Sequence, residues 1–203
     1  MKELVIATRN SHKAEEIAAI LPPDCSIRTL ADFPDAPEIE ENGRTFAANA
    51  AQKALALSQY MRDAWVLADD SGLCVDALGG SPGILSARYA GEHGNDAANN
   101  RKLLGELSAL LGQAPYTARF VCAMCLAKDG QVQAEFLGTL EGQITLHPRG
   151  LHGFGYDPLF IPHGYVATTL AELPAEVKNT ISHRAHALEQ LAQWVSSQTD
   201  QQG

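Results

Sequence analysis

The sequence predicts an α/β fold with a central mixed β-sheet flanked by helices. Three observations carry that prediction. Apolar runs of strand length alternate with segments of helical spacing, turn residues separate them, and one Asp-Gly pair joins two strand-like runs. Residues 4–7 are a short apolar run ending in Thr8-Arg9-Asn10-Ser11, and read as a first strand and its polar loop. Ile17, Ile20 and Leu21 then share one helical face, and Pro22-Pro23 stops that helix. Residues 32–44 hold prolines and acids and read as a loop. Thr45 is a suitable N-cap for a helix reaching about Met61, because its hydroxyl can accept from an unbonded N–H of the first turn. Residues 65–68 are an apolar strand closing on Asp69-Asp70-Ser71-Gly72; residues 75–78 continue it before Gly79-Gly80-Ser81-Pro82-Gly83 turns the chain. Residues 96–111 have helical character. Residues 118–128 and 131–140 are strands meeting at Asp129-Gly130, a two-residue hairpin signal. A glycine-bracketed loop, Gly153-Phe154-Gly155-Tyr156-Asp157-Pro158, leads into a strand at residues 159–161, and Ser182 opens a last helix to about Val195. The polar tail from about residue 196 is expected to fray.

The 203 residues suit one domain, residues 1–203, and 45% apolar against 19% charged residues is the balance of a chain that buries a core. No apolar run approaches bilayer length, and the opening apolar stretch is too short for a signal peptide, so the expected location is the cytoplasm, with no membrane partner. A net charge of −9 argues against a nucleic-acid surface, which needs a basic patch. It also repels any anionic ligand, so a phosphate site requires a local set of cations, a metal ion, or both. Cys122 and Cys125 have CxxC spacing but lie inside an apolar strand, and neither Cys25 nor Cys74 completes a zinc ligand set. Buried, reduced thiols are the expectation.

Five segments carry chemistry. Asp69-Asp70 places two acids at the end of an apolar strand, where neighbouring carboxylates are held most easily by a divalent cation or a shared proton. The plain alternative is a solvated turn closed by Ser71-Gly72. Glu40-Glu41 precedes the helix on which Asn49 and Lys53, four apart, share a face; alone these read as surface acids and a solvated stripe. Thr8, Asn10 and Lys13 stand between the first strand and helix, where free N–H groups suit phosphate, although no Walker motif is present. Arg184, with His183 in the same first helical turn, opposes the helix dipole and so implies a nearby negative or accepting group; Glu172 or Glu176 would serve as a plain salt-bridge partner. Phe154, between two glycines, is a poor core position and a good one for stacking on a flat ligand, with Asp157 available to a base edge or ribose.

Taken in order, these pieces resemble the inosine triphosphate pyrophosphatase family, which includes the bacterial dITP/XTP pyrophosphatases. The matching pieces are Thr8-x-Asn10-x-x-Lys13, Glu41-x-Gly43-x-Thr45-Phe46-x-x-Asn49-Ala50-x-x-Lys53-Ala54, Ala68-Asp69-Asp70-Ser71-Gly72-Leu73, Pro82-Gly83-Ile84-x-Ser86-Ala87-Arg88-Tyr89, Gly153-Phe154-Gly155-Tyr156-Asp157-Pro158 and Ser182-His183-Arg184. The resemblance implies an elongated two-lobed fold with its active site in the cleft between lobes, and a homodimer. It implies that Thr8, Arg9, Asn10, Ser11, His12 and Lys13 form a triphosphate-binding loop. Glu41 and Asp70 become Mg²⁺ ligands, with Asp70 also the proton acceptor and Asp69 beside it. Lys53 and Ser71 become substrate contacts, Phe154, Gly155, Tyr156 and Asp157 a base-binding loop, and Lys178, His183 and Arg184 the remaining nucleotide contacts. Arg9 and His12 depart from the smaller residues many relatives carry there, which bears on how closely the loop backbone approaches phosphate.

The implied reaction is hydrolysis of non-standard purine nucleoside triphosphates (dITP, ITP, XTP) to the monophosphate and pyrophosphate. Two alternatives stand beside it: a related pyrophosphatase for modified pyrimidine nucleotides, and a nucleotide-binding regulator without catalysis.

Overall fold

The computed structural model describes residues 3–21, 25–110 and 115–200. In chain order its elements are β1 (Glu3–Ile6), α1 (Ser11–Ile20), β2 (Ser26–Thr29), α2 (Phe46–Tyr60), β3 (Trp65–Val75), α3 (Asp96–Ser108), β4 (Tyr116–Lys128), β5 (Gln131–Ile144), β6 (Phe160–Pro162), α4 (Ala175–Ile181) and α5 (His183–Asp200). The strands form one sheet in the order β2-β1-β3-β4-β5-β6. β1 pairs in parallel with β2 and β3, whereas β5 and β6 are antiparallel, so the sheet is mixed as expected. Asp129 and Gly130 both take left-handed backbone angles (φ 52° and 75°), the conformation a two-residue hairpin demands and Asp-Gly favours.

The chain divides into two units. The first comprises Met1–Asp70, Cys122–Gly138 and His183–Gly203; the second comprises Ser71–Val121 and Thr139–Ser182. In the first unit, period-two alternation sorts each strand between two apolar layers. Val5, Ala7, Val66, Ala68, Ala123, Cys125 and Ala127 pack with Ala50, Ala54 and Leu57 of α2. Leu4, Ile6, Leu67, Cys122, Met124 and Leu126 pack instead with Ile17 of α1 and Leu188 and Leu191 of α5. Cys122 and Cys125 therefore lie in different layers and cannot share a metal. Burial pushes both thiols up to about 12, so they stay protonated. The second unit gathers Leu73, Val75, Leu103, Leu107, Tyr116, Phe120, Ile144 and Phe160 around α3.

Several expectations need correction. Asp69-Asp70-Ser71-Gly72 is not a turn: β3 runs through it to Val75. β2 escapes a reading by pattern because its four residues hold one apolar side chain, Ile27, and none is fully buried, and α4 because seven residues make only about two helical turns. α3 ends at Ser108, and residue 111 lies outside the described residues, as do Pro22 and Pro23. α5 continues to Asp200, beyond the expected end at about Val195, and residues 201–203 of the polar tail lie outside the described residues. Among the described residues no helix is long and apolar enough to cross a membrane.

Two glycines should respond oppositely to alanine. A Cβ on Gly138 would sit 2.0 Å from the His183 carbonyl oxygen and 2.6 Å from Ala187 N, backbone atoms with nowhere to go, whereas one on Gly105 in α3 meets nothing within 4 Å. Gly138→Ala is expected to destabilise by about 1–3 kcal/mol through overpacking. Gly105→Ala is expected to stabilise by about 0.5–1 kcal/mol through helix propensity. Urea denaturation of both variants checks the pair; equal midpoints would contradict the β5–α5 approach.

Candidate active site

Strand alternation decides where the two adjacent acids point. Asp69 shares parity with Leu67 and emerges among α1 and α5; Asp70 shares parity with Val66 and Ala68 and emerges over α2. The contacts follow suit. Asp69 Oδ2 accepts from Lys13 Nζ of α1 at 2.8 Å, and Asp70 Oδ2 accepts from Asn49 Nδ2 of α2 at 2.8 Å. Both carboxylates are buried, with residue exposures of 2% and 6%, which rules out the solvated-turn reading.

Their electrostatics diverge for the same reason. Burial alone would raise Asp69, but the charges of Lys13, Arg184 and Lys53 and the Lys13 hydrogen bond outweigh it and hold its carboxyl well below the usual carboxylate range. Asp70 lies above its ordinary value: burial dominates, the Asn49 bond and the lysines oppose it, and Glu41 adds to it. Asp69 is thus a permanent anion around which cations are arranged. Asp70 is the acid with the more basic carboxylate.

Lys53 is the hub of the α2 side. Its Nζ donates to Glu41 Oε1 at 2.8 Å and to the Asp69 carbonyl at 2.5 Å, so neither it nor Asn49 belongs to a solvated stripe. Burial lowers the Lys53 ammonium, but the charges of Asp69 and Glu41 carry it above its ordinary value. Asn49 is fully buried; its Oδ1 also accepts from Gly43 N, which fixes the loop carrying Glu41 relative to Asp70. The Thr45 hydroxyl caps α2 by accepting from Ala48 N, as its position suggested.

In the loop after β1, Thr8 Oγ1 accepts from Asn10 N and Asn10 Oδ1 accepts from Lys13 N, the N-cap of α1. Ser11 and His12 open that helix and are exposed. Arg9 directs Nη2 to the Ala36 carbonyl at 3.0 Å. At the start of α5, His183 and Arg184 are buried, and Arg184 Nη1 donates to Glu16 Oε2 of α1 at 2.6 Å. The acid that answers Arg184 is therefore Glu16, not Glu172 or Glu176. Glu172 bonds Thr169 and Arg149 instead.

Lys13 pairs with Asp69, Lys53 with Glu41 and Arg184 with Glu16, while Asp70 adds a further carboxylate. Side chains alone therefore do not reverse the local sign of charge, and of the expected alternatives the one that includes a metal ion fits this pairing. Among the described residues no group of three or more His, Cys, Asp or Glu forms a ready ligand cage. The donor chemistry of Glu41 and Asp70 nevertheless fits a hard divalent cation. Mg²⁺ takes oxygen ligands and is commonly held by one or two carboxylates together with phosphate and water. Asp70, buried beside another acid, is the carboxylate such a charge would stabilise most.

In the second unit lie Ser71, next along β3, and the aromatic loop. Gly153 has φ 74°, and a Cβ there would lie 2.0 Å from Asp157 Oδ2, so only glycine fits. Asp157 Oδ2 accepts from Phe154 N at 2.9 Å and from Lys178 Nζ of α4 at 2.5 Å, an ion pair almost wholly buried. Tyr156 is buried and its hydroxyl donates to the Ser86 carbonyl. Asp157 and Tyr156 thus shape the loop from behind, and Phe154 is left half-buried with Lys178 Nζ 4.9 Å from its ring centroid. A half-buried ring on a braced loop is compatible with stacking on a flat ligand, and the Asp157 carboxylate is engaged by Phe154 N and Lys178 Nζ. Sequence reasoning missed Glu16 and the α3 residues Asp96 and Asn100, which bond Gly155. Each meets its partner across a long chain separation, and no local pattern signals it.

Asp69 also makes a prediction about stability. Its folded-state value lies below the unfolded one, so its contribution is present above the ordinary carboxylate value and is lost as pH falls toward the folded value. Asp69→Asn should therefore lower Tm most near neutral pH, with the deficit shrinking below about pH 4. Thermal melts at pH 7 and pH 3 check this, and a constant deficit would contradict the ion-pair account.

Comparison with known proteins agrees in extent and in fold. The Ham1 family model matches residues 4–194. The dITP/XTP pyrophosphatase of Geobacillus kaustophilus is 51% identical over 197 residues, covering 96% of this chain and 95% of its own. That of Geobacter sulfurreducens is 50% identical over 192 residues, covering 93% and 94%. Among solved structures, the Staphylococcus aureus Ham1 protein superposes with a TM-score of 0.82 at 39% identity, covering 97% of this chain and all (100%) of its own. The nucleoside-triphosphatase / dITP/XTP pyrophosphatase of Mycobacterium abscessus gives 0.72 at 39% identity, covering 93% and 98%. With a family model and half-identical relatives spanning nearly its whole length, the chain belongs to the Ham1 family.

Proposed function

We propose that this chain hydrolyses purine nucleoside triphosphates bearing a 6-keto base, dITP, ITP and XTP, to the monophosphate and pyrophosphate. The observation that carries the proposal is the division of labour between adjacent buried acids: Asp69 locked as an anion among Lys13, Lys53 and Arg184, and Asp70 raised in pKa and steered by Asn49. The names of the half-identical relatives support the substrate class.

In this mechanism water attacks the α-phosphorus, the bond to the bridging oxygen of the β-phosphate breaks, and pyrophosphate leaves with that oxygen. Asp70 takes a proton from the attacking water, a role suited to a carboxylate more basic than its neighbour. Lys13 and Lys53 stabilise negative charge developing on the departing phosphates. The α1 N-terminus, residues 8 to 13, offers N–H groups to the same phosphates. Phe154 stacks on the base, and Lys178, His183 and Arg184 supply donors. A 6-keto oxygen accepts such donors and the 6-amino group of adenine does not, which sets the direction of selectivity. Glu41 and Asp70 would hold Mg²⁺, which supplies the positive charge that the paired lysines and arginine do not. A homodimeric assembly and a cytoplasmic location belong to the same proposal and rest on the family resemblance.

A pyrophosphate-release screen across dITP, ITP, XTP and the common purine and pyrimidine triphosphates, with and without EDTA, tests the reading. Preference for dITP, abolished by EDTA, is expected; preference for a pyrimidine, or binding without release, would replace it. Asp70→Asn should abolish hydrolysis while leaving Tm close to wild type, since an asparagine amide can still present its oxygen to Asn49. Turnover above about 1% of wild type would remove Asp70 as the proton acceptor. Phe154→Ala should weaken nucleotide binding by about 1–3 kcal/mol, read as a raised KM with kcat little changed. An unchanged KM would exclude stacking.

A further inference from the structure

We infer that Asp96 and Asn100 of α3 are positioning residues that set base recognition by clamping Gly155, an inference that rests on the proposed base-stacking role of Phe154. Gly155 N donates to Asp96 Oδ2 at 2.7 Å, and Asn100 Nδ2 donates to the Gly155 carbonyl at 2.9 Å. The two side chains are four residues apart on one helix and so project from one face. Together they hold both backbone hydrogen-bonding groups of the residue that follows Phe154. Asp96 holds the N–H of the Phe154–Gly155 peptide and Asn100 the C=O of the Gly155–Tyr156 peptide, so neither peptide flanking Gly155 turns without breaking a bond, and the clamp fixes the direction in which the Phe154 ring is presented.

The remaining supports of the loop act on other groups, apart from Asp157 N, which donates to the Phe154 carbonyl at 3.3 Å. Asp157 holds Phe154 N from within the loop, and Tyr156 is anchored through its hydroxyl to the Ser86 carbonyl. Neither touches the Gly155 backbone groups. Asn100 is also oriented unambiguously, because a carbonyl only accepts and the amide nitrogen must face it. Its Oδ1 is buried and finds no partner among the described residues. The amide commits its donor to the loop while its acceptor gains nothing from the described residues, a cost that a positioning role accounts for. Asp96, in the first turn of α3, is compatible with the helix dipole as an acid, but its carboxylate reaches out of the helix to the loop.

The test compares Asp96→Ala, Asp96→Asn, Asn100→Ala and Asn100→Asp with wild type, measuring kcat and KM for dITP and dATP, dITP affinity by calorimetry in EDTA, and Tm. Both alanine variants should raise the KM for dITP about tenfold with kcat within about twofold, and should narrow the preference for dITP over dATP. Asp96→Asn should recover most of the loss, because its amide oxygen still accepts from Gly155 N. Asn100→Asp keeps the side-chain shape and loses the donor, so it should behave like Asn100→Ala even where the alanine variant folds poorly. An unchanged KM and affinity in Asn100→Asp, an Asp96→Asn as impaired as Asp96→Ala, or a fall in kcat at constant KM would each overturn the clamp. Wild-type protein that binds dITP but releases no pyrophosphate would overturn the hydrolytic reading alone, and the calorimetric ranking of the variants would still decide the clamp.

Discussion

A carboxylate that is only 2% exposed must be neutralised, protonated or surrounded, and Asp69 is surrounded. Lys13 comes to it from α1, Arg184 acts on it from α5, and Lys53 of α2 bonds its carbonyl. Three helices of the first unit thus bring a cation toward one residue with a buried charge, Lys13 by a bond to its carboxylate and the other two through their charge. A surface ion pair would contribute little to such an arrangement. A buried one is different, since removing either partner strands the other in a medium that solvates it poorly. The register of α1, α2 and α5 against the strand is in this way tied to chemistry as well as to apolar packing.

The alternation of a β-strand does the rest. Because neighbouring residues on β3 face opposite layers, two identical acids side by side in sequence acquire opposite environments: cations above one, an amide and a second carboxylate near the other. Separating the pKa values of a carboxylate pair is a general route to giving each a distinct role. Here it requires no special backbone geometry. A turn at residues 69–72 would have destroyed it, since a turn exposes both groups to the same water.

What could be read from sequence followed from locality. The hairpin at Asp129-Gly130, the Thr45 cap, the aromatic loop and the alternation of the first strand each depend on residues within a few positions of one another, and each was legible. The strand reading stops at Asp69-Asp70 because a polar pair ordinarily ends an apolar run; the distant Lys13, Lys53, Arg184 and Asn49 make its burial tolerable. Asn49 and Lys53 were visible as a shared helical face, but their partners Asp70 and Glu41 are 21 and 12 residues away. The Arg184 anomaly was readable as a demand for an acid. Its fulfilment by Glu16, 168 residues away in sequence, was not.

The second unit solves a different problem, that of presenting an aromatic ring from a segment rich in glycine. Such a segment has many conformations to lose, and a ligand that had to order it would bind more weakly for doing so. The buried Asp157–Lys178 pair, with exposures of 4% and 6%, is an expensive way to stabilise a fold, because apolar residues of similar size would serve as well or better. It makes sense as a device for specificity of shape: the carboxylate draws Phe154 N inward, the ammonium lies near the ring, and Gly153 is the residue that leaves room for both. A loop held in one conformation before the ligand arrives can reject a base by geometry, whereas a loop that folds around its ligand adapts to whichever base is offered. On the proposed base-stacking role of Phe154, selectivity between purines that differ by one exocyclic group would depend on rigidity behind the ring as much as on the donors that touch the base.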